Sequence, residues 1–505
     1  MTHDVIIIGS GAGGAAAAYV LAHAGLDVLL LERGPVLPRD GSTLDVPIVA
    51  GEGRFLSKER WHDRHGRTIV PQERFNLGGK TKWYGAALLR FSPHEFAADP
   101  AHACRAWPIG YDDLEPYYAQ AEKLLGVRHF AVERELAAII DKLKRRNDGW
   151  RTEPLPMGLA ANILDHPEEA RRFDGFASVK ELKSDGEVSL LKRARHLPNL
   201  KVLTDTKVAS LVPEPLNARR VNGVLLDDGS IIRAPRIVLA AGTLHSPRLL
   251  QEYVESTRLA HELPCTANIG RNYKFHVLTA MLGLSPGRKS DLLRKTTLFL
   301  HDACPHSSVQ PFGFDGEQLA VEGPAYMPAP LARFIGDRVY GFFLQTEDGS
   351  HAENRIVGGN QIPPRLDYDL ARLPAARAEH ARLVRMLQGD LLRSGMVPLT
   401  QSIPVIGTAH ACGTLIAGTD PRDSVVAADG RVHGIENLYV VDGSVLPRSS
   451  RANPALTIFA WSMRVADKMS GEQLLVNASN NKSSASPRRM DHEHARSASA
   501  HPVRT

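Results

Sequence analysis

Asp4-Val5-Ile6-Ile7-Ile8-Gly9-Ser10-Gly11-Ala12-Gly13-Gly14 decides the fold of this chain. An apolar run of strand length enters a glycine turn. The alanine-rich run Ala15 to Gly25 has helix length, and Asp27-Val28-Leu29-Leu30-Leu31-Glu32 is a second apolar strand closing on a carboxylate. This order is a βαβ unit. Gly9 permits the tight turn, Gly11 leaves room for a pyrophosphate against the backbone, and Gly14 lets helix and strand pack closely. The helix start supplies unpaired N–H groups and the positive end of its dipole. Glu32 can accept a hydrogen bond from a ribose 2′-OH and would repel a 2′-phosphate, so the motif favours FAD or NAD over NADP. It does not separate those two or name a reaction.

The chain as a whole narrows the class. Its 505 residues suffice for two domains or one large composite one. No apolar run reaches the roughly 20 residues of a membrane span. The first strand starts at Asp4, so no targeting segment is expected and a cytoplasmic protein is predicted. Cys104, Cys265, Cys304 and Cys412 form no CxxC pair, which argues for isolated thiols and against a zinc ribbon or a cluster; no metal site is expected. The net charge of +5 sits largely in the tail after Val476, where Lys482, Arg488, Arg489, Arg496 and Arg504 outnumber Asp491 and Glu493. It is therefore poor evidence for a nucleic-acid surface. The same Ser/Asn/His/Arg-rich tail lacks apolar periodicity and is expected to be disordered, its His492, His494 and His501 solvated rather than metal-bound.

Between these ends the periodicity changes several times. The stretch from Arg33 to about residue 70 reads as an extended excursion with loops. Asn76-Leu77-Gly78-Gly79-Lys80-Thr81 offers a second glycine turn where backbone can approach a ligand. A helix should run to Leu125 from an N-cap at Asp112 or Asp113, and Glu135 to Arg145 is an amphipathic surface helix. Strands follow at Val202–Thr204, Val208–Val212 and Val221–Leu226, with Asp227-Asp228-Gly229 as a hairpin turn. Arg236 to Thr243 is a buried strand, and Ser246-Pro247 opens a helix with Ser246 as cap. From about Phe275 to Pro404, alternating segments such as Val339 to Gln345 indicate a separate antiparallel sheet, with a helix over Arg377–Leu392. The last folded block ends in a helix from Pro454 to about Met469. No second GxGxxG is present, so a second nucleotide domain is not expected.

The most specific signals lie near the C-terminus: His410-Ala411-Cys412-Gly413-Thr414, Asn437 to Pro447 with Asp442-Gly443-Ser444, and Asn453-Pro454-Ala455-Leu456-Thr457. With the opening unit, the Gly78-Gly79 loop, Ala240-Ala241-Gly242-Thr243 and Gly270-Arg271-Asn272, they resemble the glucose–methanol–choline (GMC) family of FAD-dependent oxidoreductases. The resemblance spans residue 4 to about 470 and is thin across 125–200 and 275–400. It implies an α/β fold: a Rossmann-like FAD-binding domain, of the kind shared with p-hydroxybenzoate hydroxylase, joined to an α+β substrate-binding domain with an antiparallel sheet. The expected division is a discontinuous FAD-binding domain of 1–82, 195–274 and 405–476, a substrate-binding domain of 83–194 and 275–404, and a tail of 477–505.

The resemblance also implies roles. His410 takes the proton of a substrate hydroxyl as hydride passes to flavin N5, and Asn453 positions the substrate oxygen. Imidazole suits the first task because its ordinary pKa of about 6.5 leaves it neutral and basic. An amide can donate to a developing alkoxide without titrating. Asn453-Pro454 also reads as an ordinary N-cap and first helical turn, and a helix starting there would aim its dipole at the flavin. Gly9, Gly11, Gly14, Glu32, Gly78, Gly79, Thr81, Val208, Asp442, Gly443 and Pro454 are the expected cofactor contacts. Some members attach FAD through a histidine at the place where this chain has Trp83, so non-covalent FAD is expected. Tyr84 stands where glucose oxidase-like members often carry Asn, and Glu252-Tyr253 replaces a common Ser-Gly. His276 is either a cofactor-side or a packing residue.

The predicted function is FAD-dependent oxidation of a primary or secondary alcohol, such as a sugar or polyol, to a carbonyl. The electron acceptor would be oxygen, a quinone or a carrier protein. A hydroxynitrile lyase-like enzyme without net redox and a non-catalytic flavin-binding protein are the alternatives. Phe343 and Gln345 are the candidate pocket residues of the 275–404 segment, and both could be core.

Overall fold

A computed structural model of the chain describes residues 3–323, 327–359 and 363–471. The predicted disordered tail and its histidines lie outside these. At the centre is a five-stranded parallel sheet in the order Leu438–Val440, Arg236–Leu239, Val5–Ile8, Val28–Leu31, Leu200–Leu203. Val5 to Ile7 and Ile237 to Leu239 are wholly buried, as expected for strands covered on both faces. The helix Ala12–His23 leaves the first strand through the glycine turn, and its alanines are buried against the last helix, Ala455–Ser470.

Three glycines make this centre possible. Gly9 adopts φ +102, and a Cβ there would overlap the Ala240 carbonyl. A Cβ on Gly13 would overlap the Val441 carbonyl, and one on Gly14 the carbonyl of Gly9 itself. Backbone therefore packs on backbone where three strands end. Gly11 differs: at φ −63 it needs no glycine conformation, and a Cβ there would meet nothing within 4 Å.

A six-stranded antiparallel sheet stands beside the parallel one. Its order is Val397–Ser402, Val277–Leu284, Val339–Thr346, Ser307–Phe312, Thr297–His301, Trp150–Pro154. The helix Pro374–Arg393 buries Leu383, Leu387 and Leu391 with Met281, Tyr340 and Phe342 on one face of this sheet. Its other face looks back toward the parallel sheet across a cavity. The register sets Gln401, Ala280, Phe343 and Gln310 in one row across four strands on that face.

Several local expectations need correction. The excursion after Arg33 is not all loop: Trp61–Asp63 and Thr68–Ile69 pair with Arg365–Asp367 and Arg355–Val357 in a small mixed sheet. Strands so short carry no readable alternation. The helix ending at Leu125 starts at Glu115 without a side-chain cap, and the Asp113 carboxylate instead accepts from the Gly110 amide at 2.9 Å. Ser246 does not cap its helix either. Its hydroxyl donates to Asp442 at 2.5 Å and accepts from the Ala241 amide at 3.1 Å. The Asp227-Asp228-Gly229 turn is a hairpin as read, with Gly229 at φ +85. All four cysteines are free and buried.

The glycine geometry yields a paired prediction. Gly14→Ala forces backbone apart and should cost about 3 kcal/mol or more of stability. Gly11→Ala should leave the apo-protein within about 1 kcal/mol of wild type, yet weaken FAD binding about tenfold or more by placing a methyl in the cleft. Thermal unfolding and FAD titration of the two variants check this.

Candidate active site

The cleft between the sheets holds a cavity of about 1460 Å³, larger than the roughly 300–1,000 Å³ of ordinary small-molecule sites. One end is built by the βαβ unit. Glu32 is buried, which raises its carboxyl above the ordinary range. Ser10 and Gly34 oppose that shift by donating to it: Oε2 accepts from the Ser10 amide (3.0 Å) and hydroxyl (2.5 Å), and Oε1 from the Gly34 amide (2.9 Å). Oε1 keeps acceptor capacity for a ribose hydroxyl. The second glycine turn closes onto the first. The Gly78 amide donates to Ser10 Oγ at 3.0 Å, and Gly79, at φ +56, lies against the Gly11 backbone. Thr81 spends its hydroxyl on this loop, donating to the Gly78 carbonyl and accepting from the Gly186 amide. Gly9, Gly11, Gly79, Thr81, Glu32 and Val208 all line the cleft. Gly14 and Gly78 do not: Gly14 acts through packing, and Gly78 holds the turn.

Asp442, Gly443 and Pro454 line the cleft from the C-terminal side. The Asp442 carboxylate accepts four hydrogen bonds, from the Gly242 amide, Ser246 Oγ, and the amide and hydroxyl of Ser444. Its acceptor capacity is fully used. It shapes the cleft by tying two turns together, leaving the neighbouring backbone to meet a ligand.

The residues fit a dinucleotide. Gly11 offers open space at a helix start, and Arg248 Nε, a buried polar atom of the lining, finds no hydrogen-bond partner among the described residues; Glu59 Oε2 and His245 Nε2 lack one too but face each other at 3.6 Å. These three carry no motif, and Glu59 comes from a segment far from His245 and Arg248, which share the start of one helix, so nothing in the sequence marks them.

At the other end His410 and Asn453 line the cavity, and His276 lies behind His410, wholly buried. The loop carrying His410 is pinned by Lys80 Nζ on the Thr408 carbonyl (2.9 Å), by Thr408 Oγ1 on Glu73 (2.5 Å) and by Thr243 Oγ1 on the Ala411 carbonyl (2.8 Å). Cys412 and Lys274 exchange backbone bonds, which joins this loop to the segment carrying His276. Asn453 precedes the last helix, but its side chain does not cap it. Instead Nδ2 lies 3.2 Å from His410 Nε2, and Oδ1 accepts from Gln310 Nε2 at 2.5 Å. His410 Nδ1 lies 3.0 Å from His276 Nδ1. Phe343 and Gln345 both line the cavity; Gln345 also donates to the Arg451 carbonyl. Trp83 is packed with its indole N–H on Asn76 Oδ1 and the Arg74 guanidinium over its ring.

Burial holds His410 well below the ordinary imidazole range; a charge on His276 would push it the same way, as do the charges of Lys295 and Lys80. Both lysines are themselves paired, Lys295 with Asp174 at 2.8 Å and Lys80 with Glu73 at 2.6 Å. His410 is therefore neutral at pH 7 and has a lone pair to offer.

Such a cleft, a parallel sheet with a glycine turn at one end and a neutral histidine at the other, defines an FAD-dependent oxidoreductase. An FAD-dependent oxidoreductase family model matches residues 4–267, and a GMC oxidoreductase model matches residues 367–462. The chain belongs to the GMC oxidoreductases, which act on CH–OH donors. 6'''-Hydroxyparomomycin C oxidase of Streptomyces lividus is 29% identical over 92% of this chain and 90% of that protein. Paromamine 6'-oxidase of Streptomyces fradiae is 27% identical over 93% and 91%. In fold, the chain is similar to the crystal structure of pyridoxine 4-oxidase from Mesorbium loti, with a TM-score of 0.67 and 20% identity over 92% of this chain and 99% of that one. Among the described residues no helix is long and apolar enough to cross a membrane.

The depressed His410 pKa has a kinetic consequence. Protonation removes the lone pair, so the rate falls as pH drops through that pKa. Anaerobic flavin reduction measured against pH should hold its rate down to about pH 6.5, the ordinary imidazole value, and lose it only below. A limb at or above that value would contradict a neutral His410.

Proposed function

We propose that the protein oxidises a primary or secondary alcohol, of the sugar or polyol class, to the carbonyl, with His410 as general base and Asn453 as the oxygen-positioning residue. The observation that carries this reading is the pairing of an imidazole nitrogen and an amide N–H at 3.2 Å on the cavity wall. His410 Nε2 takes the hydroxyl proton, and Asn453 Nδ2 donates to the oxygen as negative charge develops there. The C–H electron pair leaves with its hydrogen as hydride, and the carbon–oxygen bond becomes double. FAD, when bound, supplies the two-electron acceptor for that hydride. Gln310, Gln345 and Gln401 on the sheet face beside the pair suit hydroxyl-bearing substrates, because a primary amide can both donate and accept. The aminoglycoside oxidases among the relatives support the same substrate class.

FAD is proposed to be held without a covalent bond, since Trp83 cannot form one. The electron acceptor is oxygen, a quinone or a carrier protein, and re-oxidation in air separates the first from the others.

Replacing His410 with Ala should slow anaerobic, substrate-dependent flavin bleaching by about 10²–10⁴-fold with FAD still bound. Equal bleaching by wild type and variant would remove His410 from the role of base. Turnover without any bleaching would favour the lyase alternative. A second measurement addresses attachment: acid precipitation should release all the flavin into the supernatant, whereas flavin retained in the pellet would overturn the non-covalent assignment.

A further inference from the structure

We propose that His276 is a positioning residue that sets the tautomer of His410, keeping the proton on Nδ1 and the lone pair on Nε2. The proposal rests on the reading of His410 as base and deepens it. The Ser450 carbonyl can only accept, so His276 Nε2, 2.7 Å away, carries a hydrogen. The remaining nitrogen, His276 Nδ1, faces His410 Nδ1 at 3.0 Å, and one of the two must donate. A neutral His276 has only a lone pair left there. His410 Nδ1 is then the donor, and His410 Nε2 is left unprotonated.

The opposite end of the chain of bonds asks for the same tautomer. Gln310 Nε2 donates to Asn453 Oδ1, which turns the Asn453 N–H toward His410 Nε2. An amide N–H can only donate, so Nε2 must accept. Ser450 at one end and Gln310 at the other therefore agree on one arrangement. A doubly protonated His276 would reverse it, placing the hydrogen of His410 on Nε2 and blocking proton transfer.

The backbone is strained at both supports of this arrangement. His276 sits at φ +67 and Ser450 at φ +65, a region that side-chain-bearing residues seldom occupy. Each is clamped by a buried acid. The Phe275 and His276 amides donate to Asp348 at 2.9 and 3.2 Å, and the Ser450 amide donates to Glu347 at 3.0 Å. His276 is wholly buried, and its ring stands edge-on to that of His410. Packing alone would not need two left-handed residues to bring a ring nitrogen onto a ring nitrogen. The charged groups facing the pair are Asp348 beneath His276 and Lys80 and Lys295 beside His410.

The test uses the FAD-loaded enzyme with ¹⁵N-labelled histidine rings, the His410 signals identified by their loss in His410→Gln. The expected spectrum has His410 Nδ1 protonated and Nε2 not. His276→Phe, which offers no acceptor, should mix the His410 tautomers and lower the limiting rate of flavin reduction at least about tenfold with substrate affinity little changed. His276→Gln, which can both accept and donate, should restore much of that rate. A proton found on His410 Nε2 in the wild type overturns the proposal even if the Phe variant fails to fold. So does a folded His276→Phe that keeps both tautomer and rate. A wild-type rate in His410→Ala would instead overturn the base assignment, so the two failures are distinguishable.

Discussion

Main chain touching main chain is the constraint on which this structure depends. The carbonyls of Ala240, Val441 and Gly9 all come within the space that a Cβ would take on Gly9, Gly13 or Gly14. The contact fixes where the helix Ala12–His23 begins, and so where its unpaired N–H groups point. It also seats the last helix against the first, with Ser462 Oγ donating to the Gly13 carbonyl at 2.6 Å. Because Asn453 leads into that last helix, one packing arrangement sets both ends of the cleft.

A second constraint is the buried ionic cluster behind the His410 end of the cleft. Arg448 grips Glu347 through two nitrogens, at 2.9 and 2.6 Å, and burial of the pair is nearly complete. Arg448 and His306 hold Glu347 far below the usual carboxylate range despite the cost of burying it. Such pairs contribute little net stability, because desolvation offsets attraction. Here the cluster supplies orientation instead. Glu347 also accepts from the Ser450 amide, and the Arg451 carbonyl accepts from Ser308 and Gln345, so the strained turn before Asn453 has few ways to relax.

The two halves of the cleft divide their tasks by secondary structure. The parallel sheet presents glycine turns and amides, groups that recognise phosphates and ribose and vary little with substrate. The antiparallel sheet presents alternating side chains on one face, so single changes at Gln310, Phe343 or Gln401 would alter the pocket without disturbing the ladder. Substrate choice can therefore diverge among relatives that keep the same cofactor.

Local periodicity is enough for the βαβ unit, the antiparallel region and the last helix. His410 and Asn453 are brought together only by the resemblance of their short motifs to a family. The caps expected at Asp113 and Ser246 do not form, because a short polar side chain has several partners within reach, and which one it takes depends on what folds beside it. The small sheet at Trp61–Asp63 leaves no mark in the sequence, because strands of two or three residues hold no pattern. His276 showed itself only as an ambiguous histidine, and Glu59, His245 and Arg248 not at all. Their roles depend on which distant backbone carbonyl or carboxylate comes within 3–4 Å, and that is decided by the packing of segments far apart in the chain. Residue order carries the dinucleotide-binding unit, and the family resemblance of the C-terminal motifs carries FAD and the roles expected of His410 and Asn453. Only the tertiary structure decided which nitrogen of His410 faces the cavity, because a tautomer is set by hydrogen-bond partners that residue order does not reveal.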